Sequence, residues 1–249
     1  MTGELDKAAQ TYQAEIEIYQ RDGHYTDLSA LYSELGQYEK AVEVERQRQR
    51  LVPNQGLAYQ NLATFALGSQ RFDEARRMID RAHPRTSNDS ILRSAVYGLA
   101  FLEGDSAAMA EQLQWFAGKP EYEHSGLALA SDTEAYGGNL GKAQELTKRA
   151  VESAVRADSK ESGAIWMANV ALRQAAYGDA PEARQAAAEA LKLAPASHGV
   201  GVGAALAFAM AGDRARAETL AQDLGETLSA GYANAVALAA CDLWAIGAR

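Results

Sequence analysis

Apolar positions recur at helical spacing in paired blocks, and the two blocks of each pair meet at a short repeated pattern: a glycine, an apolar residue two positions on, and an alanine three positions after that. Gly3-Glu-Leu-Asp-Lys-Ala8, Gly36-Gln-Tyr-Glu-Lys-Ala41, Gly138-Asn-Leu-Gly-Lys-Ala143 and Gly178-Asp-Ala-Pro-Glu-Ala183 follow it, and Gly212-Asp-Arg-Ala-Arg-Ala217 follows it with Arg214 at the apolar place. Gln70-Arg-Phe-Asp-Glu-Ala75 and Gly104-Asp-Ser-Ala-Ala-Met109 follow it with one or two substitutions. The anchors at 8, 41, 75, 109, 143, 183 and 217 are therefore 33, 34, 34, 34, 40 and 34 residues apart. Each unit has a physical reading. An apolar helix runs into a glycine, which can take the positive φ needed to leave a helix and turn. A second helix follows, and the small anchor residue lets the two approach closely. Pro53, Pro84, Pro120 and Pro195 lie 9 to 12 residues after an anchor, where a residue that cannot continue a helix stops it.

A helix-turn-helix unit of 34 residues resembles the tetratricopeptide repeat. In the second unit Tyr25, Leu28, Tyr32, Leu35, Gly36, Tyr38, Ala41 and Pro53 occupy that family's aromatic, leucine, glycine, tyrosine, alanine and proline positions, and Gly178, Ala183, Ala190 and Pro195 do so in the sixth. The resemblance implies an all-α fold, a right-handed α-α superhelix (solenoid) of about six to seven repeats in one array over residues 1–249. The expected units are a half repeat at 1–19, repeats at 24–53, 57–84, 89–118, 124–156, 162–195 and 199–226, and a closing helix at 231–247. The chain is thus expected to begin in mid-repeat, with its first helix over Leu5 to Tyr19. The wide gap between Ala143 and Ala183 predicts that Glu152 to Ser162 lengthen one helix and the loop after it, changing the pitch locally. A narrower resemblance, carried by Gln112-Leu-Gln-Trp-Phe-Ala-Gly-Lys-Pro120, Ser131-Asp-Thr-Glu-Ala-Tyr136, Leu146-Thr-Lys-Arg-Ala-Val-Glu152 and Glu182-Ala-Arg-Gln-Ala186, is to the C-terminal repeat region of bacterial multidomain serine/threonine protein kinases. It implies a docking or sensory module of a larger signalling protein. No kinase motif is present.

Composition narrows the partners. A formal net charge of −9 would repel phosphate backbones and anionic lipid, so neither nucleic acid nor a membrane surface is expected to bind. The single cysteine, Cys241, excludes an internal disulfide and reads as a buried thiol; with no secretory leader after Met1, it points to the cytoplasm. Val200 to Met210 and Tyr232 to Ala248 are apolar but shorter than a membrane span, and read as buried helices.

A search for catalytic chemistry finds no constellation that keeps its context. His24, His83, His124 and His198 lack metal-ligand spacing and read as loop or surface residues. Gly199-Val-Gly201-Val-Gly-Ala204 matches a dinucleotide fingerprint in letters, but follows a helix, Pro195 and a loop where the motif needs a strand; its small residues read as sites of close helix packing. Gly138-Asn-Leu-Gly-Lys142 lacks the first glycine and the Ser/Thr of a phosphate-binding loop and reads as a repeat turn. Glu45-Arg46-Gln-Arg48-Gln-Arg50 reads as a solvated face of a second helix rather than a nucleic-acid element. No enzyme activity, cofactor or metal is expected.

In arrays of this family the first helix of each unit lines the concave side, so the resemblance assigns partner binding to Thr26, Gln60, Asn61, Thr64, Ser94, Phe101, Asp132, Tyr136, Asn169 and Leu172, with Ala30, Ser33 and Gly98 beside them. Clamps for peptide carboxylates in this family use Lys and Asn on these helices. Here only Arg93 and Arg173 bring positive charge, which disfavours such a clamp. The expected function is a protein- or peptide-binding scaffold; the alternative is a homodimerising array joined through its apolar closing helix.

Overall fold

Seven chain reversals share one hydrogen-bonded turn. In a computed structural model describing residues 5–53, 55–82 and 89–227, the helix that enters each of these turns ends with a residue in the left-handed region. The following N–H then donates to the carbonyl five residues back. Gly36, Gly104, Gly138, Gly178 and Gly212 hold φ of 68, 72, 80, 86 and 75°, and Gln37, Asp105, Asn139, Asp179 and Asp213 close their turns on Tyr32, Ala100, Glu134, Gln174 and Phe208 at 2.8–2.9 Å. Gln70, which stands where the other units have glycine, takes the same conformation at φ 58°, and Arg71 closes that turn on Ala66. Asp105, Asp179 and Asp213 then accept backbone N–H groups of the following helix, capping it as they leave the turn.

The thirteen helices among the described residues are α1 Leu5–Tyr19, α2 Asp22–Glu34, α3 Tyr38–Leu51, α4 Gly56–Gly68, α5 Phe72–Ala82, α6 Ser90–Glu103, α7 Ser106–Ala117, α8 Glu123–Tyr136, α9 Leu140–Arg156, α10 Lys160–Ala176, α11 Ala180–Leu193, α12 His198–Met210 and α13 Arg214–Thr227. They fall into two compact units, one within residues 5–109 and one within 110–227. In the first, α1 packs on α2, α2 on α3, α3 on α4 and α4 on both α5 and α6. In the second, α8 packs on α9, α9 on α10, α10 on α11 and α12, and α12 on α13. Each helix offers one apolar stripe, so a hairpin of two cannot bury both and must stack on its neighbours. The anchors Ala41, Ala75, Ala143 and Ala183 are fully buried at the crossings. Phe116 of α7 lies directly over Gly126 of α8, where a Cβ would stand 2.5 Å from it.

The wide spacing before Ala183 has a different origin from the expected one. Both α9 and α10 run to 17 residues, three more than α8 and α11, and the connection at 157–159 stays short, turned by Asp158 at φ 57°. One extra turn on each antiparallel partner keeps the pair in step, whereas a longer loop would leave the added helix unpaired. The same extension starts α10 at Lys160, adding a lysine to the first turn of a first helix. Val200 to Met210 lie in α12, as expected, and a Cβ added at Gly201 would stand 3.3 Å from Leu224 and one at Gly203 3.1 Å from the Ala168 Cβ, so both glycines serve close packing. None of the described helices is long and apolar enough to cross a membrane. Pro84, His83, Cys241 and the closing helix at 231–247 lie outside the described residues.

The shared turn makes a two-sided prediction for the urea or thermal midpoint. Replacing Gln70 by Gly removes a side chain from a left-handed position and should stabilise the protein by about 0.5–1 kcal/mol; Gly178→Ala, which creates that strain, should destabilise it by about 1 kcal/mol.

Candidate functional site

The first-helix positions named by the sequence divide between the two units. In residues 5–109, Thr26, Thr64 and Ser94 are half-buried, and their hydroxyls return to the carbonyls of Asp22, Gln60 and Ser90 one turn earlier. Gln60 is only 3 % exposed and lies behind the surface. Asn61 is half-buried and donates to Glu45 at 3.3 Å, and Phe101 is half-buried on α6. In residues 110–227, Asp132, Asn169 and Tyr136 are exposed, and Leu172 packs partly into the apolar core around Phe208.

Asn61 leads to a network that the sequence reading had placed in solvent. Helical period puts Ala41, Glu45 and Arg48 on one face of α3, and that face points inward. Glu45 and Arg48 are fully buried, which corrects the reading of the Glu45–Arg50 run as a solvated surface; only Arg46, Gln47, Gln49 and Arg50 reach water. Arg48 donates from Nε to Asp22 at 2.6 Å, from Nη1 to Glu45 at 2.7 Å and from Nη2 to Gln55 at 2.7 Å. The second oxygen of Glu45 accepts from Ser29 at 2.8 Å. Burial works against the Arg48 charge, and the hydrogen bonds it donates to Asp22 and Glu45, with the attraction of their charges, outweigh it, so its pKa is raised. A charged pair out of water holds only when its remaining hydrogen-bonding groups are matched, and here α2, α3 and α4 supply the partners.

A second polar junction ties the first helices α8 and α10 to α9. Arg173 donates to Asp132 at 2.9 Å and to the buried hydroxyls of Ser131 and Thr147 at 3.3 Å each. Those hydroxyls meet at 2.7 Å. Arg173 therefore spans three helices instead of standing free for a ligand carboxylate. His124, read from the sequence as a loop or surface residue, is buried in the first turn of α8, because that turn packs against α10: the indole N–H of Trp166 donates to its Nδ1 at 3.3 Å. Burial pushes its pKa below the ordinary 6.5, and a hydrogen bond to the Glu121 backbone only partly opposes this. His24 pairs with Glu15. Among the described residues no group of three or more His, Cys, Asp or Glu side chains could hold a metal ion.

Tyr136, which the sequence assigns to the binding face, belongs to a register of exposed apolar side chains whose other members the sequence does not single out. Counting back from the left-handed turn residue, Leu57, Ile91 and Ile165 stand thirteen positions before it, and Leu102, Tyr136 and Met210 stand two before it. The two registers are eleven residues apart, about three turns, so they share one face of each first helix. All six are exposed, from 36 % at Ile165 to 81 % at Tyr136. The signal was present in the sequence as this fixed count from the turn, but an apolar residue on a helix reads as core until the packing shows otherwise.

Two variants test these junctions. Arg48→Met leaves Glu45 buried without its cation and should cost about 3–5 kcal/mol in urea unfolding, while Glu45→Met with Arg48→Met should recover a large part of that loss. His124 takes up a proton less readily in the fold than in the unfolded chain. Its contribution is therefore intact above pH 6.5 and is lost as pH falls below 6.5 towards the lowered value. The melting temperature should fall over that window, and His124→Gln should flatten the dependence.

No protein-family model matches the chain, and no curated protein matches it. Solved structures do. Yeast Tom70 superposes with a TM-score of 0.63 at 16 % identity, over 93 % of this chain and 48 % of that one, so this chain spans about half the length of Tom70. PilW, a type IV pilus biogenesis factor, matches with a TM-score of 0.49 at 14 % identity over 86 % of this chain and 97 % of its own. PilF of Pseudomonas aeruginosa gives 0.47 at 15 % identity over 93 % and 97 %. The likeness to Tom70 shows the fold: the chain is an all-α solenoid of tetratricopeptide-type helix pairs.

Proposed function

We propose that this chain is a non-catalytic scaffold that holds a segment of another protein along the exposed faces of its first helices, as a docking or sensory module of a larger signalling protein. The observation that supports it is the exposed Leu, Ile, Tyr or Met at one or both of these two positions on each of α4, α6, α8, α10 and α12, since a fold gains nothing from leaving such side chains in water on five first helices. Between the registers lie Thr26, Thr64, Ser94, Asp132 and Asn169, with Asn61 alongside, which offer hydrogen bonds to a peptide backbone. An extended or helical segment places side chains at intervals matched to such a ladder of helices, with the apolar positions as anchors and the polar ones setting its direction. Gln60 and Leu172 support the binding positions from behind, and Phe101 flanks Leu102 on α6.

The test is site-specific photo-crosslinking. A benzophenone side chain at Leu102, or separately at Met210, should capture a protein partner, and the same group at Glu17 or Glu43 on second helices should not. Ile91→Ser with Leu102→Ser should keep the helical circular dichroism, because exposed substitutions change stability by about 0.5 kcal/mol or less, yet lower capture at neighbouring positions by about ten-fold. Equal capture from both sides of the helices would count against the reading.

A further inference from the structure

The second-helix side of the unit within residues 110–227 carries a cleft separate from the first-helix face. It has a volume of about 350 Å³ and lies between α9 and α11. Its floor is apolar: Val151 of α9, Met167 and Val170 of α10, and Ala186 of α11. Its rim carries three carboxylates, Glu152, Glu182 and Glu189, against the single cation Lys148.

The arrangement follows from helix register. α9 and α11 each run antiparallel to α10 and so parallel to each other. Gln144 of α9 donates to Glu182 of α11 at 3.2 Å, which closes one end of the cleft and sets the two helices in step. Glu152 follows Gln144 by eight residues and Glu189 follows Glu182 by seven, so at 1.5 Å per residue both line the cleft about 10–12 Å further along, one from each helix. Glu152 is exposed and has no ion-pair or hydrogen-bond partner among the described residues; Glu189 accepts only from Gln185 on its own helix, at 3.0 Å.

An apolar floor with a carboxylate from each flanking helix at the same end matches the shape and charge of a long cationic side chain. We propose that this cleft docks a basic, partly apolar peptide segment of a protein partner, with a lysine or arginine laying its methylene stem over Met167 and Val170 and its charge between Glu152 and Glu189. Anionic ligands are repelled by the same rim, and the single Lys148 is too few to reverse it.

The probe is a fluorescein-labelled peptide of alternating lysine and leucine, followed by anisotropy, with glutamate–leucine and lysine–glycine peptides as comparisons. The lysine–leucine peptide should bind most tightly of the three, and added salt should weaken it. Glu152→Gln with Glu189→Gln should weaken it by about ten-fold, the loss expected of two partly exposed ion pairs. Glu17→Gln with Glu43→Gln, which removes the same formal charge elsewhere, should leave it unchanged. Lys148→Glu should tighten binding about three-fold, a gain that misfolding cannot produce. Ile91→Ser with Leu102→Ser should leave this peptide's affinity unaltered, which separates the cleft from the first-helix face. Absence of binding to the unsubstituted protein, equal weakening by both glutamine pairs, or no tightening with Lys148→Glu would each overturn the proposal.

Discussion

Reversing the chain in three residues while bringing two helices into contact is the constraint on which every other feature rests. A left-handed residue is needed to turn the backbone back on itself, and a residue of almost no volume is needed where the helices then cross. Gly36 with Ala41 and Gly178 with Ala183 meet both demands in six positions each. Once the hairpins form, their leftover apolar stripes have nowhere to go but onto the next hairpin, and stacking follows. The lengthening of α9 and α10 by one turn each shows how strict the pairing is, since the added residues appear on both partners and not in the connection.

The polar groups inside the stack are placed where three helices meet. Arg48 reaches α2, its own helix α3 and the residue preceding α4; Arg173 on α10 reaches α8 and α9. Alanine-rich helices slide easily over one another because small side chains interlock weakly. A buried guanidinium with several directed hydrogen bonds matches only one register, so these junctions select how the helices sit as well as holding them. Both arginines are thereby taken out of service as ligands for an external carboxylate.

The surfaces left over differ in chemistry. First helices present a recurring apolar register with hydroxyls and amides between, suited to a peptide held by anchors and backbone hydrogen bonds. Second helices α9 and α11 present carboxylates above an apolar floor, suited to a basic side chain. The two proposed docking faces would thus take segments of unlike chemistry, and the −9 net charge favours basic ones at the second.

The sequence by itself determined the helices, the turns and the fold class, because the glycine-to-alanine spacing, the helix stops and the hydrophobic period are local properties that no packing partner can alter. Even Gln70 was legible as a turn residue from its place in the pattern. What the tertiary structure alone decided was the fate of particular side chains. Glu45, Arg48 and His124 look like surface residues letter by letter and are buried, while Leu102 and Ile91 look like core and are exposed. A helix has a face fixed by its period, but which faces find partners depends on the stacking of units far apart in the chain, and that information is carried by no single stretch of it.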